Sequence, residues 1–275
     1  MRRPAWVLRT IVVVAALAAA VTVEAQFRQG RGGGGGRTSA RLAIANDFTG
    51  QFMFCRIVFR NAVDGDGGGW GVDYPRADEN LSIRLSELTK TTISREGDGF
   101  PRHVLVRFND PQIFSCPFVM MTEPGGAFLD PAEAEGLRNY VDKGGFLWAD
   151  DFWGEYAWAH WVAQLRKALP APDFPVFDLA EDHPLFKAQF DVPGVPQIPA
   201  IGLGFGRTSE RGAETAVPHA RGIADSQGRL IVLMTHNTDI GDSWEREGDD
   251  PQYFLAFGPK GYAFGINAVL YALTH

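Results

Sequence analysis

Short, continuous runs of apolar residues recur along this chain, and they limit its fold more than any other feature. FMFCRIVF covers 52–59, PFVMMT covers 117–122, GFLWA covers 145–149 and LIVLM covers 230–234. Runs of this length are typical of strands that are buried on both faces, as in parallel sheets. Segments with apolar residues at helical spacing separate them, and their members include Leu81, Leu85, Leu88, Leu137, Tyr140 and Val141. This alternation predicts an α/β protein with a mostly parallel sheet.

Capping and turn residues mark several element boundaries. Asp130 precedes Pro131, which predicts an N-cap followed by proline at the first helical position. Asp78 is predicted as the N-cap of a helix over 77–88. A closing helix is predicted over 262–273, and two strands within 219–235 are predicted to form a C-terminal hairpin.

The first residues of the chain predict export. Arg2 and Arg3 precede an apolar run that ends in Val23-Glu24-Ala25, a small-x-small cleavage pattern. The run is shorter than the roughly 20 residues that span a bilayer, although a retained anchor is the alternative. We therefore expect a periplasmic or envelope protein without a stable transmembrane span after cleavage. The expected parts are a signal peptide (1–25), a flexible Gly/Arg-rich leader (26–45) and a single domain (46–275).

The net charge of the whole chain, −7, combines a basic N-terminal part with an acidic domain. Without the signal peptide and the leader arginines, 19 basic and 32 acidic residues give a net charge of −13. Such a domain repels nucleic acid, so no nucleic-acid partner is expected.

Acidic residues follow three of the predicted strands. If these strands are parallel, their carboxyl ends meet at one edge of the sheet, where α/β proteins bind ligands. We predict that Asp150 or Asp151 acts as a base or metal ligand and that His236 acts as a proton shuttle or ligand. The predicted ligand-binding residues are Asp73, Glu123, Gly125, Gly126, Trp153, Asn237, Asp239, Asp242 and Trp244.

Ordinary structural roles are the alternatives at each of these positions. Single acids can cap neighbouring helices, a buried histidine can bond a backbone carbonyl, and tryptophans in loops can cover the core. Grouped carboxylates also favour a bound cation, so a divalent metal is a candidate cofactor, although no zinc motif such as H-E-x-x-H occurs.

The two cysteines do not indicate nucleophilic catalysis. Neither Cys55 nor Cys116 stands on a glycine-flanked turn from strand to helix, and no G-x-S-x-G sequence occurs. An exported chain permits a disulfide between them. The sequence does not give their separation, and Cys55 lies in a predicted buried strand, so the pairing stays open.

Several motifs together resemble the bacterial domain of unknown function family 4159. They include WGVDYPRADENL, LDPAEAEGLRNYVDKGGFLWADDFWG and RGIADSQGRLIVLMTHNTDIGDSWEREG, and the resemblance covers roughly residues 50–275. It implies a class I glutamine amidotransferase-like fold, which is a flavodoxin-like three-layer sandwich, in a protein of the cell envelope. Because Asp150-Asp151 follows the third strand and no elbow cysteine is present, we do not expect a Cys-dependent glutamine amidotransferase.

Two functional hypotheses follow. In the first, the acidic strand ends bind a small polar ligand, such as a carbohydrate or a cell-wall fragment; if the protein is an enzyme, it is a hydrolase. In the second, the domain is a non-catalytic interaction module of the envelope, and its acidic edge binds a basic protein partner.

Overall fold

The computed structural model describes residues 40–203 and 206–275. The predicted signal peptide and most of the predicted leader lie outside these residues. The strands are β1 (Phe54–Ile57), β2 (Arg60–Asn61), β3 (His103–Val106), β4 (Phe118–Thr122), β5 (Ala127–Phe128), β6 (Phe146–Phe152), β7 (Phe177–Asp178), β8 (His219–Ala224) and β9 (Leu230–His236). The α-helices are α1 (Arg76–Leu88), α2 (Pro131–Asp142), α3 (Gly154–Leu165), α4 (Asp242–Glu245) and α5 (Pro251–Thr274). Short 3₁₀ helices cover Ala45–Asp47, Pro111–Ser115, Pro124–Gly126, Pro184–Lys187, Ile201–Leu203 and Gly212–Thr215.

Seven strands form the main sheet in the order β3-β1-β4-β6-β9-β8-β7, and β2 pairs with β5 in a separate small sheet. The pairs β1–β3, β1–β4, β4–β6 and β6–β9 are parallel. Strands β8 and β9 pair antiparallel, as do β7 and β8. The predicted α/β class with a mostly parallel sheet is therefore confirmed, and the carboxyl ends of β1, β4, β6 and β9 point in one direction.

Alternate residues of the central strands pack against helices. Phe118, Met120 and Trp148 belong to one buried cluster with residues of α1 and α5, such as Leu81 and Phe264. The intervening residues of the same strands are also buried, because strand side chains alternate between the two faces of a sheet. The central strands are thus covered on both faces, which accounts for the continuous apolar runs.

The predicted helix ends are partly confirmed. Asp130 caps α2 by accepting a hydrogen bond from Glu133 N at 2.9 Å, and the Glu133 carboxylate in turn accepts a bond from Asp130 N. The N-cap prediction for Asp78 is wrong, because α1 begins at Arg76 and Asp78 lies inside it. The Asp78 carboxylate is instead fully buried in an ion pair with Arg56, whose Nε donates to Oδ1 at 3.0 Å.

Ordered contacts begin before residue 46, where the sequence places the start of the domain. Leu42 forms a parallel bridge with Leu105 of β3, and Ala43 N donates to Leu105 O at 2.8 Å. The edge strand β3 thereby gains backbone partners. Residues Arg41–His275 form one compact unit.

A disulfide joins Cys55 in β1 to Cys116, which immediately follows the 3₁₀ helix before β4. The two Cα atoms are 6.2 Å apart, so the pairing that the sequence leaves open is present in the structure.

Within the part of the chain that the structure describes, no helix combines the length and the apolar character needed to cross a membrane.

Candidate functional site

Three strand ends are tied together at the carboxyl edge of the sheet. Glu123, which follows β4, donates its backbone N–H to Asp150 O in β6 at 2.9 Å. Asn237, which follows β9, donates its N–H to Phe152 O at 2.9 Å. The polar residues that follow these strands therefore lie side by side.

The backbone conformation turns several of these residues away from regular strand geometry. Asp73, Glu123, Asp151 and Asn237 have φ values of 63°, 50°, 58° and 60°, and they are the non-glycine residues of the described chain with positive φ. The β6–β9 register also shifts between Ala149 and Phe152, so Asp151 lies in a bulge. Bulges and left-handed residues redirect side chains and concentrate at functional sites.

Asp73, Asp151 and Asp239 form the group that we call the aspartate triad. One carboxylate oxygen from each lies within 4.8 Å of the others. Asp73 comes from the loop before α1, Asp151 from the end of β6, and Asp239 from the loop between β9 and α4. The exposed fractions of these residues are 4%, 6% and 4%. The triad is therefore a buried cluster beneath the loops and not an open acidic rim.

Hydrogen bonds from the protein engage only some of the carboxylate oxygens of the triad. Asp151 Oδ1 accepts from Trp153 Nε1 at 3.0 Å, and Asp239 Oδ1 accepts from Asp242 N at 2.8 Å. Asp73 Oδ2 is buried and has no hydrogen-bond partner among the described residues.

A second carboxylate group shares Asp73 with Asp242 and Glu245, again with oxygens within 4.8 Å. Arg246 pairs with both of the latter residues, at 3.1 Å to Asp242 Oδ1 and 2.8 Å to Glu245 Oε2. Asp242 Oδ2 also accepts from Ile201 N at 2.9 Å. This second group is thus largely neutralised by protein atoms.

Burial raises the pKa of each triad carboxyl well above its ordinary range, because the charged form loses hydration. Neighbouring acids add to the effect: Asp242 raises the pKa of Asp73, Glu123 raises that of Asp151, and Asp151 raises that of Asp239. The site therefore favours bound protons or another positive charge.

Asp150 is adjacent to the triad but has a different environment. Its Oδ1 accepts from Thr235 Oγ1 at 2.5 Å, and its Oδ2 accepts from Gly241 N at 3.0 Å. Burial raises its pKa to about 7. Asp150 holds the turn before α4 in place, and its two oxygens already have partners.

Glu123 and the two glycines after it organise a neighbouring loop. Glu123 Oε2 accepts backbone N–H bonds from Gly68 and Gly69, while burial raises its pKa to about 7. A Cβ on Gly125 would lie 2.7 Å from Ala157 Cβ and from a backbone oxygen of the loop. Gly126 O accepts from Ala62 N at 2.8 Å. These contacts bring the loop that precedes Asp73 close to β4.

His236 lies outside both carboxylate groups. Its Nε2 is 3.1 Å from Gly154 O, its Nδ1 is 3.3 Å from Arg221 Nη1, and its ring packs against those of Phe152 and Trp158. Burial lowers its pKa to about 4. Asn237 is also engaged, since its Oδ1 accepts from Gly154 N at 2.9 Å. Both residues bind protein atoms that position the start of α3.

Trp244 is fully buried, and its ring packs at 5.5 Å from that of Trp148 in the core. Arg246 and Gly241 are not among the residues that the sequence predicts for the site. The spacing of Asp242 and Arg246, four residues apart in DSWER, was the available signal for the ion pair. Nothing in the sequence indicated that Gly241 donates its N–H to Asp150.

The profile of the family described as Domain of unknown function (DUF4159) matches residues 58–273. The chain belongs to this family. The DUF4159 match covers all of the residues that form the two carboxylate groups, so the site lies inside the family domain. No curated protein matches the chain.

Proposed function

We propose that the carboxyl edge of the sheet binds a small polar ligand that carries positive charge, in a protein that works outside the cytoplasm. One observation carries the proposal: the aspartate triad is buried without a lysine or arginine ion pair among the described residues. Buried charges are normally paired with an opposite charge or bound to a metal. A cationic ligand supplies the missing charge.

The burial of the triad favours a small ligand over a basic protein surface. Side chains of a partner protein reach exposed rims readily, whereas carboxylates with exposed fractions near 5% are accessible only to an ion or a small group. Since Asp150 and His236 already bond protein atoms, the proposal assigns no acid–base role to either of them.

The fold supports a ligand site at this edge. We propose a flavodoxin-like, three-layer relationship to the class I glutamine amidotransferases, because the five parallel strands, numbered by their order in the chain, follow the order 2-1-3-4-5. In that arrangement ligands bind at the switch point between the first and third parallel strands, here β1 and β4. Asp73 lies in the connection from β1 to α1, after the short strand β2, and Glu123 directly follows β4. Cysteine-dependent amidotransferase chemistry is not part of this proposal, because Cys55 and Cys116 form a disulfide.

Two features support the proposed location in the periplasm or cell envelope. The N-terminal apolar run resembles a signal peptide, and a buried disulfide is typical of proteins that mature in an oxidising compartment.

Thermal unfolding in the presence of small cations tests the proposed function. The purified protein, stripped with EDTA, is melted with spermidine, glucosamine, MgCl₂, CaCl₂ or MnCl₂, and with neutral glucose as the comparison. We expect at least one cation to raise the Tm of the wild type and of Glu181→Gln, an exposed control with the same charge change. Asp239→Asn should lose the response. If none of the cations raises the Tm of the wild type, the proposed function is refuted.

A further inference from the structure

Asp73 carries the most direct sign of a missing partner. Its Oδ2 atom is buried, and no donor of the described residues reaches it. A Cβ on Gly241 would overlap Asp73 Oδ2 and would lie 3.6 Å from Asp239 Oδ1. The unpartnered oxygen therefore faces the part of the site where Asp239 lies, and the absence of a side chain at position 241 keeps that space open.

The other two triad members also retain binding capacity. Asp151 and Asp239 each use Oδ1 for one hydrogen bond, and the Oδ2 atoms accept none from the described residues. Three carboxylates thus present oxygens to one small volume, within 4.8 Å of one another.

We propose that Asp73, Asp151 and Asp239 bind one hard divalent metal cation, an inference that rests on the proposed function and names its ligand. The donor atoms are all carboxylate oxygens, which suit Mg²⁺, Mn²⁺ and Ca²⁺. Because the triad supplies three donors and these ions take six or more, water or a polar ligand completes the coordination shell.

The contrast between the two carboxylate groups decides which one binds the ion. Asp242 and Glu245 share the guanidinium of Arg246, and Asp242 also accepts a backbone N–H bond. A metal at that group would have to displace these partners. Among the described residues no lysine or arginine pairs with the triad, and its hydrogen bonds leave Asp73 Oδ2 without a partner. Asp73 is the member common to both groups.

Binding of Mn²⁺ to the EDTA-treated protein, followed by the electron paramagnetic resonance signal of free Mn²⁺, tests the assignment. We expect one Mn²⁺ per chain with a Kd tighter than about 1 mM, and competition by Mg²⁺ or Ca²⁺. At 100 times the Kd, Mn²⁺ should raise the Tm by about 5–10 °C.

Two kinds of variant test the position of the ion. Asp73→Asn and Asp239→Asn keep the side-chain shape and should weaken Mn²⁺ binding by about tenfold or more, because each removes one charged ligand. Gly241→Ala changes no carboxylate but fills the space beside Asp73 Oδ2, and it should weaken binding as well. The matched controls are Glu245→Gln and Gly97→Ala, since a Cβ on Gly97 meets no atom within 4 Å. Gly97→Ala should bind Mn²⁺ like the wild type, and Glu245→Gln should weaken binding far less than Asp239→Asn, because it removes a nearby charge but no ligand. Near-UV circular dichroism verifies that every variant is folded.

Two results would overturn the inference. One is wild-type protein that takes up none of Mn²⁺, Mg²⁺ or Ca²⁺ at 1 mM, a concentration at the weak end of extracellular calcium sites. The other is binding that Glu245→Gln abolishes while folded Asp239→Asn retains it. If spermidine or glucosamine still stabilises the wild type but no metal binds, only this inference fails. If neither an organic cation nor a metal has any effect, the proposed function fails with it.

Discussion

The disulfide between Cys55 and Cys116 should account for a large share of the stability of this domain. The bonded residues are separated by 61 positions in the chain. Closing a loop of that length removes conformational entropy from the unfolded chain, which is worth about 4 kcal/mol at 25 °C. Because the two cysteines are almost completely buried, we expect the folded protein to resist reduction until it unfolds.

Urea unfolding of matched oxidised and reduced samples measures this contribution. The reduced sample is unfolded in urea with a phosphine reductant, refolded and kept reduced, and its two thiols are counted by Ellman's reagent. We expect its free energy of unfolding to be about 4 kcal/mol lower and its Tm about 8–16 °C lower. The double variant Cys55→Ala/Cys116→Ala is the control, and its stability should not respond to the reductant. A loss below about 1 kcal/mol, or two free thiols in protein purified from an oxidising compartment, would refute the reasoning.

Three further substitutions test other features of the structure. Arg56→Met leaves Asp78 buried without its cation and should lower the free energy of unfolding by about 3–5 kcal/mol in urea titrations, and adding Asp78→Leu should recover most of it. The pKa of His236 is lowered to about 4 in the folded protein, so the unfolded chain takes up the proton first as the pH falls from about 6.5. The contribution of His236 to stability should fall by about 2 kcal/mol between pH 7 and pH 5. It is measured as the change in the difference between the unfolding free energies of the wild type and His236→Gln, because the buried carboxyls with raised pKa act in the opposite direction in both proteins. Gly136→Ala places a Cβ against a backbone carbonyl and should cost about 1–3 kcal/mol, whereas Gly97→Ala should change the Tm little.

The parallel core could be predicted because its strands are buried on both faces and therefore form continuous apolar runs. The edge strand β3 has only four residues and was not predicted from the sequence. The closing helix was predicted from Tyr262, yet α5 begins at Pro251 and continues through Pro259. Packing of Tyr253 and Phe257 against the core outweighs the low helix propensity of the proline and the glycines.

The convergence of acids at the strand ends followed from the same parallel topology, but the division of roles among them did not. Asp150 and Asp151 are neighbours in sequence, and one is satisfied by Thr235 and Gly241 while the other belongs to the triad. The difference depends on the bulge in β6 and on the turn before α4, and both are set by tertiary contacts. The sequence also gave no indication that the site would be buried.

The triad makes a final prediction that separates a ligand site from a structural cluster. The triad oxygens lie within 4.8 Å of one another, and two ionised carboxylates at that limiting distance repel by about 3.5 kcal/mol at an effective dielectric constant of 20. Asp151→Asn removes that repulsion. In EDTA we therefore expect the free energy of unfolding of the variant, measured in urea, to exceed that of the wild type by about 1–3 kcal/mol. In saturating Mn²⁺ the order should reverse, because only the wild type gains binding energy from the ion. If Asp151 served stability alone, its replacement would instead lower the free energy of unfolding in EDTA. A lower free energy of unfolding for Asp151→Asn in EDTA would therefore exclude the triad as a ligand site.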